Sequence, residues 1–209
     1  MERPIILKAH EVRGILDGRQ TQLRRIVKGN RRQIQYCGIN LRNLKPTWVD
    51  ECAKYVPCPF GQVGDRLWGR ETWTDNRGNS CPMYRADLPL FIPANRTEFG
   101  HDVQMNPEDY RWTSSVHMPR WASRILLEIV SVRVERLQDI SERDVWAQGA
   151  EGWMDEFSNV EHCKAAKEVG ACIDDIKPAF ALHWERENGA GSWNANPWVW
   201  VVEFKRVDA

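Results

Sequence analysis

The chain has 209 residues, 42% of them apolar and 28% charged, with 29 basic against 29 acidic side chains. That length suits one sizeable core, or a small core with large insertions, and the charge balance excludes a wholly basic nucleic-acid binder. No apolar run approaches the ~20 residues of a membrane span, and the basic start lacks the apolar core of a signal peptide. A cytoplasmic protein with no membrane contact and reduced cysteines is expected.

Neutrality hides an asymmetry. Residues 1–33 carry nine Lys/Arg against three Asp/Glu, and residues 139–175 carry ten acidic against three basic side chains. A basic pole permits a local polyanion site on a neutral chain; the bland alternative is that the poles neutralise one another in the fold. Eleven tryptophans supply apolar area for a core and, where exposed, platforms for stacking bases.

In chain order, PIILKAH (4–10) reads as a short buried strand. The helix that follows, 10–17, has Val12, Ile15 and Leu16 at helical spacing and Gly18 as its stop. Residues 28–64 show no sustained period and read as an irregular insertion. GDRLWGRETW (64–73) looks like a strand entered through a Gly-Asp turn. Residues 75–114 are again loop-rich. RILLEIVSVRVERL (124–137) is a long strand whose apolar parity changes near Ile129–Ser131, which predicts a β-bulge or sharp bend. SERD (141–144) has the form of a capping box and starts a short helix to Gly149. A further helix over 178–188 is stopped by Gly189. PWVWVVEFKRV (197–207) closes the chain as a strand, with Trp198, Trp200, Val202 and Phe204 on one face.

Four stretches together resemble the ASCH family, a branch of the PUA-like superfamily, and within it the large phage and prophage members. They are ILKAHEVRGILDGRQTQLRRIVK (6–28), CPFGQVGDRLWGRETW (58–73), VHMPRWASRILLEIVSVRVERLQDISERD (116–144) and NPWVWVVEFKRV (196–207). The resemblance implies an α+β fold: a PUA-like small bent β-barrel with flanking helices. It would form a single domain over 1–209, with loop-rich insertions at about 28–64 and 75–114. It also implies an RNA- or nucleotide-related role.

The small catalytic members of that family remove the acetyl group from acetylated cytidine. Their motif is G-x-K-x-x-T-x-R after the first helix, with a glutamate in the helix after the long strand. Laid on this chain, Gly18 and Arg25 match. Gln20 stands at the lysine position, Leu23 at the threonine and Gln148 at the glutamate. A glutamine amide cannot accept a proton near neutral pH, and leucine cannot replace a hydroxyl. No catalytic residue is therefore expected at the family positions. Thr21 remains within a register shift of the site, and Glu71 with His117 offers a different acid–base pair.

A nucleic-acid interface is expected instead. Arg19, Arg24, Arg25, Lys28, Arg31 and Arg32 form a basic cluster after the first helix, suited to phosphates. Ser115, His117, Arg120 and Trp121 in SSVHMPRW, with Trp68 in LWGRE, are candidates for clamping or stacking a base. No cofactor and no metal are expected: Cys37, Cys52, Cys58 and Cys81 contain no C-x-x-C pair. The expected partner is a nucleic acid, RNA ahead of DNA, or a modified nucleoside. The alternatives are a hydrolase, either amidohydrolase or ribonuclease, and a phage protein that acts by binding a host or phage protein.

Overall fold

The computed structural model describes residues 1–29, 34–40, 45–50, 52, 54, 56–75, 81–92, 103–152, 159–169 and 175–207. The fold is mixed α+β, organised on one five-stranded sheet. Its strands are β1 (Glu2–Ile6), β2 (Gln22–Ile26), β5 (Arg66–Arg70), β10 (Leu126–Arg136) and β11 (Trp198–Val207), in the order β1-β5-β10-β11-β2. Only β1 and β5 run parallel; the other neighbours are antiparallel.

The predicted parity change is a register shift of β10 against β11 between Ile129 and Ser131. Ile129 is buried before the shift and Val130 is turned out to solvent. The extra residue lets one long strand keep apolar side chains inward on both sides of the bend. β11 has both faces covered, not one. Trp200, Val202 and Phe204 point to one side, while Val199 and Val201 point to the other.

Helices cover the two faces. Helix α1 (Ala9–Leu16) lays Val12 and Ile15 on Leu23, Leu127, Val202 and Phe204. It ends at Asp17, and Gly18 takes a φ of 75° that other residues seldom adopt. Helices α2 (Glu142–Ala147) and α4 (Ile176–Asn188) cover the opposite face around Val145, Phe180, Trp184, Val199 and Val201. Ser141 caps α2 as expected, its Oγ accepting the Asp144 N–H at 3.2 Å. Helix α3 (Asn159–Val169), packed on α4, has no counterpart among the predicted elements.

The insertions hold more order than their composition suggests. The first contains a hairpin, β3 (Ile34–Asn40) with β4 (Lys45–Asp50), which seats Trp48 edge-on against Trp200. The second contains two short strand pairs: β6 (Trp73–Thr74) with β7 (Met83–Tyr84), and β8 (Leu90–Ile92) with β9 (Val103–Met105).

The sheet does not close into a barrel: β1 and β2 share no ladder. The gap is spanned instead by one side chain, since Arg25 on β2 donates from Nη2 to the Ile6 carbonyl on β1 at 3.1 Å. Among the described residues no helix is long and apolar enough to cross a membrane.

Beneath α2 the register gathers a polar network. Gln22 and Arg24 on β2 share a face with Glu203 on β11 and with Arg133 and Glu135 on β10. Arg24, 3% exposed, is held by Gln22, Glu135 and Asp144, and Arg133 by Glu135, Asp144 and Glu203. Burial alone would raise the Asp144 carboxyl, but the Gln22 amide with Arg24 and Arg133 holds it below the usual range. Removing one member of such a cluster leaves a buried charge uncompensated. Arg24→Met is therefore expected to cost about 3–5 kcal/mol in urea unfolding. Arg19→Met, which loses only a surface pair with Asp17, should cost less than about 1 kcal/mol.

Candidate functional site

A cavity of about 280 Å³ opens between α1, the start of β2, the end of α2 and one face of α4. Each element brings its side chains by simple periodicity. Phe180, His183, Trp184 and Glu187 stand at i, i+3, i+4 and i+7 on α4, so one helical stripe forms a wall. Helix α1 presents Lys8, His10 and Glu11 from its first turn.

Gln20 and Gln148 form the floor as an isolated antiparallel bridge. Gln148 donates to the Gln22 Oε1 at 3.0 Å, and Gln20 donates to the Gln22 carbonyl at 3.1 Å. Gln20 sits in a slot between two glycines. A Cβ at Gly14 would lie 3.1 Å from its side chain and one at Gly149 3.3 Å; Gly149 also has a φ of 80°. The glycines are thus what lets the glutamine reach the floor.

Every formal charge on the rim is already paired. Glu11 takes both forks of Arg25, at 2.8 and 2.9 Å, and its Oε2 accepts the Lys8 N–H at 2.9 Å, capping α1. Burial pushes the Glu11 carboxyl up, but Arg25 more than offsets it and holds the group below its ordinary range. Lys8 and Glu187 form an ion pair. His10 and His183 meet edge to face, with ring centroids 4.8 Å apart. Burial lowers His10, and burial with the neighbouring His10 lowers His183 to about 4. Burial therefore favours the neutral form of both imidazoles. Trp184 Nε1 is buried and makes no hydrogen bond among the described residues.

The family positions divide. Gln20, Gln148 and Arg25 do come together at this cavity. Leu23 does not: it shares a strand face with Arg25 but is 0% exposed, packed with Val12 and Ile15 of α1. Thr21 is exposed and serves through its backbone, donating to Ala147 and accepting from Phe204.

The arginines expected on a phosphate-binding loop lie elsewhere. Arg24 and Arg25 belong to β2 and are occupied by carboxylates, Arg19 pairs with Asp17, and Lys28 is exposed. Arg31 and Arg32 lie outside the described residues.

The 114–121 segment forms two short turns, 115–117 and 120–122, anchored near β1 and β5 rather than at the cavity. Arg120 donates to Glu2 at 3.1 Å, and the Val116 carbonyl accepts from Arg70 at 3.2 Å. Trp121 is 68% exposed, resting edge-on against Trp73, whereas Trp68 is buried beneath Arg70. Ser115 lines a second cavity on the far side of α1. His117 and Glu71 do not form an acid–base pair. Glu71 is buried with both oxygens on Arg124 at 2.9 Å, and Arg124 also binds Asp87 and lies over Tyr84. Burial raises the Glu71 carboxyl even against that guanidinium.

Cys37, Cys52 and Cys81 are exposed free thiols and Cys58 is half-buried. No group of three or more potential metal ligands occurs among the described residues.

Sequence reasoning missed His10, His183, Trp184 and Glu187. The signal present was the helical stripe on α4, which reads as core until a partner helix is known to face it. No protein-family model, curated protein or solved structure matches the chain.

His183 supplies a pH test. Its folded value lies below the ordinary 6.5, so the unfolded chain takes up a proton that the folded chain refuses. Its contribution is complete above about pH 6.5 and is lost as pH falls toward about 4. The loss is at most about 3 kcal/mol. His183→Gln should flatten the urea-unfolding stability curve in that window, leaving the share due to His10. Glu11 acts lower, where its carboxyl takes up protons. An unchanged curve between pH 6.5 and 4 would mean that His183 titrates normally.

Proposed function

We propose that this chain binds nucleic acid, RNA ahead of DNA, by taking one base or modified nucleoside into the cavity between α1 and α4. The observation that carries the reading is the pairing of chemistry there. Aromatic and imidazole rings stand over two amides, while each rim charge is already matched by a neighbour. A neutral heterocycle finds stacking surfaces and hydrogen bonds in such a site, whereas a phosphate would have to displace Glu11 from Arg25 or Glu187 from Lys8. The volume, just under the ~300 Å³ of small-ligand pockets, suits one nucleoside. The buried Trp184 Nε1–H is a donor for a base acceptor.

The ASCH resemblance is in keeping with this placement, since Gln20 and Gln148 fall on the cavity floor. The near approach of β1 and β2 through Arg25 supports an opened variant of the PUA-like barrel. The family amidohydrolase chemistry is absent from the proposal, because neither glutamine accepts a proton and Leu23 is core.

A second reading, a hydrolase acting on nucleosides or nucleic acid, is favoured by one observation. His10 and His183 face the same cavity with burial favouring their neutral forms, and a neutral imidazole can accept a proton from water or a hydroxyl. Turnover abolished by His10→Ala would support it.

Binding is measured by fluorescence anisotropy with short RNA and by titration with modified nucleosides. Trp184→Phe keeps an aromatic ring and removes the donor, and about tenfold weaker binding is expected, the worth of one hydrogen bond. Equal affinity in wild type and variant, or no binding at low salt, would defeat the reading. Acetylcytidine incubated with the purified protein should stay intact by chromatography; robust cytidine formation would restore the amidohydrolase assignment.

A further inference from the structure

On the other side of α1 lies a second cavity, of about 480 Å³, which shares Ile6 and Lys8 with the first as a common wall. Its charge balance is different. Arg13, from the last turn of α1, and Arg85, from the turn after β7, both line it. Arg13 donates to the Ala86 carbonyl at 3.1 Å, which holds it next to Arg85. Neither guanidinium meets a carboxylate among the described residues, and the Arg85 side chain makes no hydrogen bond there. Among the described residues the only carboxylate on the wall, Glu71, is taken up by Arg124. The hydroxyl residues Thr72 and Ser115 complete the lining.

Two like charges brought onto one wall repel each other, whereas Arg24, Arg25, Arg124 and Arg133 are each matched by acids. A site with two unmatched forks and two hydroxyls is complementary to a tetrahedral oxyanion.

We infer that this second cavity is a phosphate-binding site, with Arg13 and Arg85 as its cationic ligands and Thr72 and Ser115 as hydroxyl donors. It rests on the reading above only for the molecule that carries the phosphate. If that is a nucleic acid, the base enters the neutral cavity and a neighbouring phosphate the charged one, across the Ile6–Lys8 wall.

The test uses the full chain and inorganic phosphate, followed by calorimetry or by phosphorus NMR line width. The wild type should bind saturably with a dissociation constant of millimolar order, about 4 kcal/mol. Arg85→Gln removes a side chain without hydrogen bonds and should leave thermal unfolding unchanged. It should weaken phosphate about tenfold, as expected for a lost charged hydrogen bond. Arg13→Lys, which keeps the charge but loses the fork, should weaken it less. Unsaturable binding, or equal affinity in wild type and Arg85→Gln, overturns the inference.

A short RNA and a nucleoside monophosphate then distinguish the source. A backbone phosphate predicts that Arg85→Gln lowers the salt slope for RNA by about 0.7. A free phosphomonoester predicts a weaker monophosphate and an unchanged RNA slope. Saturable phosphate with no RNA or nucleoside binding would leave this site standing and remove the function proposed above. RNA binding that responds to Trp184→Phe while phosphate fails to bind would do the reverse.

Discussion

The Arg25 guanidinium holds three parts of this molecule in register. It stands on β2, takes both oxygens of Glu11 on α1, and reaches the Ile6 carbonyl on β1. Glu11 is 5% exposed, so without that partner a carboxylate would be stranded in the interior at a cost of several kcal/mol. The same carboxylate caps α1 through the Lys8 N–H. One ion pair therefore fixes where the first helix begins, how near the two sheet edges come, and one wall of the cavity between α1 and α4.

Two cations of the basic N-terminal segment are neutralised inside the fold, Arg25 by Glu11 and Arg24 beneath α2. Strand β2 turns Gln22 and Arg24 toward the face beneath α2, where Glu135 and Asp144 receive the guanidinium. Asp144 belongs to the acidic segment 139–175, so part of the charge asymmetry in the sequence is cancelled inside the fold. Buried ion pairs of this kind add little net stability over apolar packing, yet each is costly to break. They act here as register devices: Arg24 and Arg133 bind the same Asp144 only when β2, β10 and α2 are correctly aligned.

Local features were legible in the sequence and long-range ones were not. The parity change at Ile129–Ser131, the stops at Gly18 and Gly189 and the Ser141 cap each depend on a few neighbouring residues, and each appears where the pattern places it. The β3–β4 hairpin was hidden because its residues lack alternation and its Trp48 packs on a strand more than a hundred residues away. Burial of both faces of β11 was equally unreadable, because it needs α4 to arrive from elsewhere in the chain. The candidate site was half legible. Gln20 and Gln148 were identified by motif and do meet, whereas Leu23 is covered by α1, and spacing alone does not record that burial. His10 and His183 are 173 positions apart, and only the packing of α1 against α4 joins them.

Helix α1 thus separates two environments that share a wall but differ in electrostatic character. On one side every charge has a partner, so a bound group there gains from stacking and amides and loses if it is ionised. On the other side Arg13 and Arg85 meet no carboxylate among the described residues, so a bound group gains from being an anion. Lys8 belongs to both walls and is committed to Glu187 on α4, which keeps its charge from blurring the distinction. For the ligand proposed above, the neutral ring and the anionic group therefore belong on opposite sides of α1. The division depends on the Glu11–Arg25 and Lys8–Glu187 pairs remaining closed, so the interactions that order the first helix also set what each side of it can accept.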